Sequence, residues 1–143
     1  AIQIFDSWVG CLSVNDYRNH VFAHSKKLID SISGKGPVIH FGTGNPSLLP
    51  LMTEAGGDVM ALDWRAPLKE SWELMGCKAI QGNMDPIALF GSVESVRQAA
   101  GSILEEVGGR PGHIFNLGHG ILPETPVENV KALVEFVQGY PTS

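Results

Sequence analysis

His119 stands between Gly118 and Gly120, directly after the apolar run His113-Ile114-Phe115-Asn116. Bare backbone on both sides lets an imidazole project into a pocket, where it can donate, accept or transfer a proton near neutral pH. Ser7 follows Phe5-Asp6 in the same way. No base is visibly paired with it and no G-x-S-x-G elbow surrounds it, so it is a weaker candidate than His119. Asp6, Thr43, Asp63, Asn83, Asp85 and Asn116 also fall just after short apolar runs. Each could touch a substrate, or simply cap a helix or form a turn. Arg65, after Asp63-Trp64, could meet a carboxylate from outside or from its own chain. His20 and His24 sit on a predicted helix and His40 in a predicted strand, and none needs a special role. The spacing of His and Cys offers no metal site, and Cys11 and Cys77 suggest no disulfide framework.

The elements that must carry these residues alternate five times between a short apolar run and an amphipathic stretch. Strands are predicted at Ile2–Phe5, Val38–Phe41, Val59–Leu62, Ala79–Gln81 and His113–Asn116. Ser13 with Asp16 forms a capping box for one helix, in which Val14, Tyr17, Val21, Leu28, Ile29 and Ile32 recur at helical spacing. Shorter helices are expected from Pro46 to Ala55, ending at Gly56-Gly57, and from Pro67 to Gly76. A longer one runs from Val93 to Val107, ahead of Gly108-Gly109. Thr125-Pro126-Val127-Glu128 opens the last helix as cap, first-turn proline and capping-box acid, with Val130, Leu133, Val134 and Val137 as its buried stripe. The pattern predicts one α/β domain over residues 1–143, with a parallel sheet whose short apolar strands are buried on both faces. Residues at the carboxyl ends of such strands are where ligands bind.

The 143 residues carry a net charge of −5 with no cluster of lysine or arginine, which argues against nucleic acid and anionic membrane surfaces as partners. No run is long enough to span a bilayer and the first residues lack the features of a signal peptide. Free cysteines fit a reducing, cytoplasmic setting. The chain opens like a strand, as though it began in the middle of a fold.

Gly42-Thr43-Gly44 after a strand, with Asp63 at the end of the next, imitates a nucleotide-binding unit such as that of S-adenosylmethionine methyltransferases. The third glycine of G-x-G-x-x-G is replaced by Ser47, however, and a lone G-x-G is weak evidence.

The segment from His113 to Pro126, HIFNLGHGILPETP, resembles the C-terminal signature of the uroporphyrinogen decarboxylase family. Three more segments match that family in order: Gln3-Ile4-Phe5-Asp6-Ser7-Trp8, Leu62-Asp63-Trp64-Arg65 and Gln81-Gly82-Asn83-Met84-Asp85-Pro86. Bacterial members are the most similar. The resemblance implies the C-terminal five βα units of a (β/α)8 TIM barrel, incomplete as a single chain. It also implies a cytoplasmic homodimer that uses no metal or organic cofactor and removes carbon dioxide from the four acetate side chains of uroporphyrinogen to give coproporphyrinogen in haem biosynthesis. Residue by residue, Ser7 matches the substrate-contacting serine of the F-[DE]-S motif, Phe5 the pocket phenylalanine, and His119 the histidine that contacts a substrate carboxylate.

The family's arginine-rich segment, its pyrrole-binding aspartate and its active-site tyrosine lie on earlier strands, and no position here matches them; Asp63 and Tyr17 match other parts of the pattern. The expectation is that this chain supplies part of an active site and needs the missing N-terminal portion or a second chain. Two further alternatives are a non-catalytic barrel remnant and the methyltransferase domain. A related zinc-dependent branch would place a cysteine two residues after His40, where this chain has Gly42.

Overall fold

β-Branched and aromatic residues in short runs, each closed by glycine or a polar residue, set the strands; capped amphipathic stretches set the helices between them. The computed structural model describes residues 1–44 and 46–141. Among these lie strands β1 (Ile2–Asp6), β2 (Val38–Gly42), β3 (Val59–Ala61), β4 (Ala79–Met84) and β5 (His113–Leu117). The helices are α1 (Val14–His20), α2 (Phe22–Ile32), α3 (Leu49–Ala55), α4 (Leu68–Met75), α5 (Val93–Val107) and α6 (Val127–Gln138).

All neighbouring strands are parallel and lie in chain order, β1-β2-β3-β4-β5, with no reversal. The helices pack in the same order, each against the next. Two rows of residues cross the sheet in register. Ile4, His40, Met60, Ile80 and His113 form one; Phe5, Phe41, Ala61, Gln81 and Ile114 form the next. Side chains of adjacent rows point to opposite faces. The first row meets the helices, and Met60 and Ile80 are buried in the core with Tyr17, Met52, Leu62 and Trp72. The second row is buried at its centre but bare at both edges, where Phe5 is 64% exposed and Ile114 43%. Burial on both faces, expected from the strands, is therefore complete only on the helix side.

Local differences have local causes. One long first helix becomes α1 and α2, bent at Val21, which accepts from Ser25 N–H and donates to Tyr17 C=O. Ser13 does cap α1: its Oγ accepts from Asp16 N–H. A short 3-10 turn over Pro46–Leu48 precedes α3. Gly56 ends α3 at φ 120° with extended ψ, a conformation open to glycine but outside the left-handed helical well. β4 runs on through Gly82, Asn83 and Met84, which the sequence pattern assigns to a loop. The capping box of α6 does not form. The cap position falls on Pro126, and the buried Thr125 hydroxyl has no hydrogen-bond partner among the described residues. Of that helix's expected stripe Leu133 is buried and Val134 exposed, while Asn129 turns inward and donates to Leu89 and Gly91 C=O.

Candidate active site

Alternation along β1 sends Phe5 and Ser7 to one side and Asp6 to the other. On the helix side Asp6 Oδ2 lies 3.0 Å from His40 Nε2 and accepts from Ser25 Oγ–H at 3.0 Å. His40, fully buried, turns Nδ1 to the carbonyl oxygens of Met52 and Gly56 at 3.2 and 3.1 Å. Carbonyls only accept, so Nδ1 carries a hydrogen and a proton is shared across the Nε2–Asp6 contact. Burial works against the Asp6 charge, but the His40 ring and the Ser25 hydroxyl outweigh it and hold the carboxyl below its usual range. Burial, then the Asp6 charge, pushes the neighbouring Tyr17 phenol up to about 12. His40 is thus the buried partner of Asp6, a role that its strand position alone did not reveal.

On the opposite side, Thr43 Oγ1 donates to Ser7 C=O and ties the end of β2 to the end of β1. His119 is carried by the turn after β5. A Cβ built on Gly118 would lie 2.3 Å from Trp64 N, so only glycine lets this turn press against the end of β3. The His119 ring then packs edge-on to Phe41 and to Trp64, with centroids 6.3 and 6.2 Å apart, and Phe41 meets Phe5 at 5.8 Å.

Phe5, Ser7 and His119 consequently line one concavity of roughly 420 Å³ over the bare sheet face, with Phe41, Gln81 and Asn116. A second lobe of roughly 710 Å³ shares Ser7 and His119 and extends over Trp8, Cys11, Trp64 and Arg65. Residues from the two edge strands of the sheet meet here. Phe41 and Gln81 were not singled out in the sequence because they lie within predicted strands, and Trp64 because the charged residues on either side of it drew the attention. For Phe41 the available hint was the register that a parallel sheet would impose; Gln81 and Trp64 lay within segments that resemble the family.

Several other strand-end residues are occupied. Asp63 is 3% exposed: Oδ1 accepts from Arg65 N–H, and Oδ2 accepts from Gly44 N–H and pairs with Arg65 Nη1 at 3.2 Å. Asn83 donates to Asp63 and Ala66 C=O. Asp85 accepts from Ile87 N–H as a turn cap, and Asn116 Oδ1 accepts from Leu117 N–H. The void enclosed beneath Gly42, Thr43 and Gly44, against Met52 and Leu62, amounts to about 10 Å³, room for one water at most, and Asp63 is taken up by Gly44 and Arg65; the outer side of Thr43 and Gly44 borders the second lobe. A Cβ on Gly42 would lie 2.5 Å from the end of the Met52 side chain, which packs against this bare backbone. Among the described residues no group of three His, Cys, Asp or Glu could hold a metal. A larger groove of roughly 990 Å³, between α5 and α6, contains no strand-end residue. No helix among the described residues is long and apolar enough to cross a membrane.

The chain is similar to known proteins over nearly its whole length. Residues 1–140 match the family described as Uroporphyrinogen decarboxylase (URO-D). The chain is 54% identical over 142 residues to a uroporphyrinogen decarboxylase of Koribacter versatilis, covering 97% of this chain and 40% of that protein. It is 51% identical over 138 residues to one from Thermus thermophilus, with 96% and 40% covered. Among solved structures, a methyltransferase from Methanosarcina mazei superposes with a TM-score of 0.81 at 26% identity, covering 96% of this chain and 41% of the other. The chain therefore spans about 40% of the length of the curated relatives it matches.

Proposed function

Since this chain belongs to the uroporphyrinogen decarboxylase family, we propose that it supplies one side of the active site of a carboxy-lyase that converts uroporphyrinogen to coproporphyrinogen. Its five βα units are the later staves of a (β/α)8 barrel. Unidirectional strand order, a single sequence of packed helices, unpaired outer edges on β1 and β5 and apolar residues on the uncovered face all support this. The remaining strands, or a second chain, would cover Phe5 and Ile114. The complete enzyme is a cytoplasmic homodimer, as in the family that the sequence resembles.

At each acetate, protonation of the adjacent pyrrole carbon makes the ring electron-poor. The C–C bond to the carboxylate breaks, its electron pair enters the ring, and carbon dioxide leaves. Protonation of the exocyclic carbon then gives the methyl group as the ring returns the first proton. The protein must hold the macrocycle and stabilise the positive ring, work that preorganised groups do well in a water-poor site. His119 contacts a substrate carboxylate from the β5 side and Ser7 from the β1 side, while Phe5 and Phe41 give the ring an apolar wall.

The convergence of Ser7 and His119, from opposite edges of the sheet, on one concavity carries this reading. In the assembled enzyme His119→Ala should slow decarboxylation by about 100-fold, with thermal unfolding unchanged. Turnover equal to the wild type, measured by separating the porphyrin products, would remove His119 from the site.

A further inference from the structure

Arg65 lies in the second lobe of the site, and the reaction outlined above leaves it without a task. It is the one arginine or lysine lining either lobe among the described residues. Its ion pair with Asp63 engages Nη1 alone, at 3.2 Å, whereas a guanidinium offers five N–H donors in a planar fork. Asp63 does not depend on that pair for its hydrogen bonds, because Gly44 N–H at 2.6 Å and Arg65 N–H at 2.9 Å already serve its two oxygens. The side chain remains 49% exposed.

Exposed arginines normally sample many rotamers, and fixing one for a ligand costs conformational entropy. This one is already seated. Its guanidinium carbon lies 4.2 Å from the centre of the Trp64 ring. Gly44 leaves bare backbone beneath it, where a Cβ would come within 3.0 Å of Nη1. The same Trp64 ring packs against His119. One indole therefore fixes both a guanidinium and an imidazole at the mouth of the concavity.

We infer that Arg65 is a carboxylate-binding residue of this site, with the N–H donors that no described residue engages receiving a peripheral carboxylate of the tetrapyrrole beside the one that His119 contacts. The inference rests on the tetrapyrrole reading and adds a specificity residue to it. Its pairing with Asp63 makes the seat nearly neutral overall. Recognition thus comes from the geometry of the fork more than from long-range attraction.

The test is binding of uroporphyrin, the stable oxidised macrocycle with free carboxylates, and of its fully amidated counterpart. Tryptophan fluorescence quenching would be read in the assembled enzyme, as for His119. The wild type should prefer the free acid. Arg65→Met should weaken acid binding by about 10-fold and leave amide binding unchanged, with Arg65→Lys in between. A purely structural Arg65 would weaken both ligands equally or neither, and either result overturns the inference. If His119→Ala weakens acid binding and Arg65→Met does not, the tetrapyrrole reading stands and Arg65 is excluded. A wild type that binds no tetrapyrrole, or shows no preference for the acid, overturns both. Should Arg65→Met not fold, the acid-to-amide ratio of Arg65→Lys decides: a ratio equal to the wild type's sinks the proposal.

Discussion

The two sides of β1 are built to opposite rules. On the helix side, Asp6, Ser25 and His40 share protons within a network packed against Tyr17. One residue either way along the strand, Phe5 and Ser7 face an open concavity. Buried polar groups are tolerable when hydrogen-bonded. Asp6, Ser25 and His40 satisfy one another, while the buried Tyr17 hydroxyl beside them has no partner among the described residues, and this side is scaffold. The open side keeps its donors, acceptors and apolar surface free for something outside the chain. The difference shows how one strand can be both fixed and functional. The network pins Asp6, and the alternation of the backbone then presents its neighbours.

His40→Ala should break the comparison most severely. It leaves the Asp6 carboxylate without its ring partner and opens a cavity beneath β2, at a cost of about 3 kcal/mol. Urea unfolding monitored by circular dichroism measures it, and a loss below about 1 kcal/mol would show the network to be dispensable.

Burial, and then the Asp6 charge, pushes the Tyr17 phenol up to about 12 in the folded chain, from an ordinary 10.0. Its contribution is therefore complete below pH 10.0 and lost as pH rises towards about 12. The loss is on the order of 2 kcal/mol. Tyr17→Phe should flatten that alkaline limb of the stability profile; a limb that persists in the variant would assign it to another group.

The smallest effect on stability belongs to the open side. Phe5→Ser removes a largely exposed ring and should change unfolding by less than about 0.5 kcal/mol. Yet it should raise the concentration at which the chain self-associates, because it removes apolar surface from an uncovered face with an unpaired edge strand. Sedimentation would measure this. A wild-type chain that is a cooperative, monodisperse monomer at micromolar concentration would contradict the need for a partner.

Much of the framework was legible in the sequence. Periodicity placed α5 at its observed bounds, and Gly76 and Gly108 close α4 and α5 in left-handed conformations. The run from Gly82 to Met84 misled because its glycine and asparagine read as loop, whereas pairing with β5 holds it in the sheet. Thr125 has the residue type of a helix cap, but tertiary packing buries its hydroxyl elsewhere.

By itself, the order of residues determined the alternation of strands and helices, the family and the set of residues gathered at the strand ends. These depend on local periodicity and on motifs read along the chain. Only the tertiary structure decided that His40 pairs with Asp6, that Asp63 is consumed by Gly44 and Arg65, and that Trp64 carries both Arg65 and His119. Apart from the contacts of Arg65 with its near neighbours Asp63 and Trp64, those pairings join residues on different strands or turns. Their separation in space is set by sheet register and by which face each side chain occupies, neither of which a local pattern encodes.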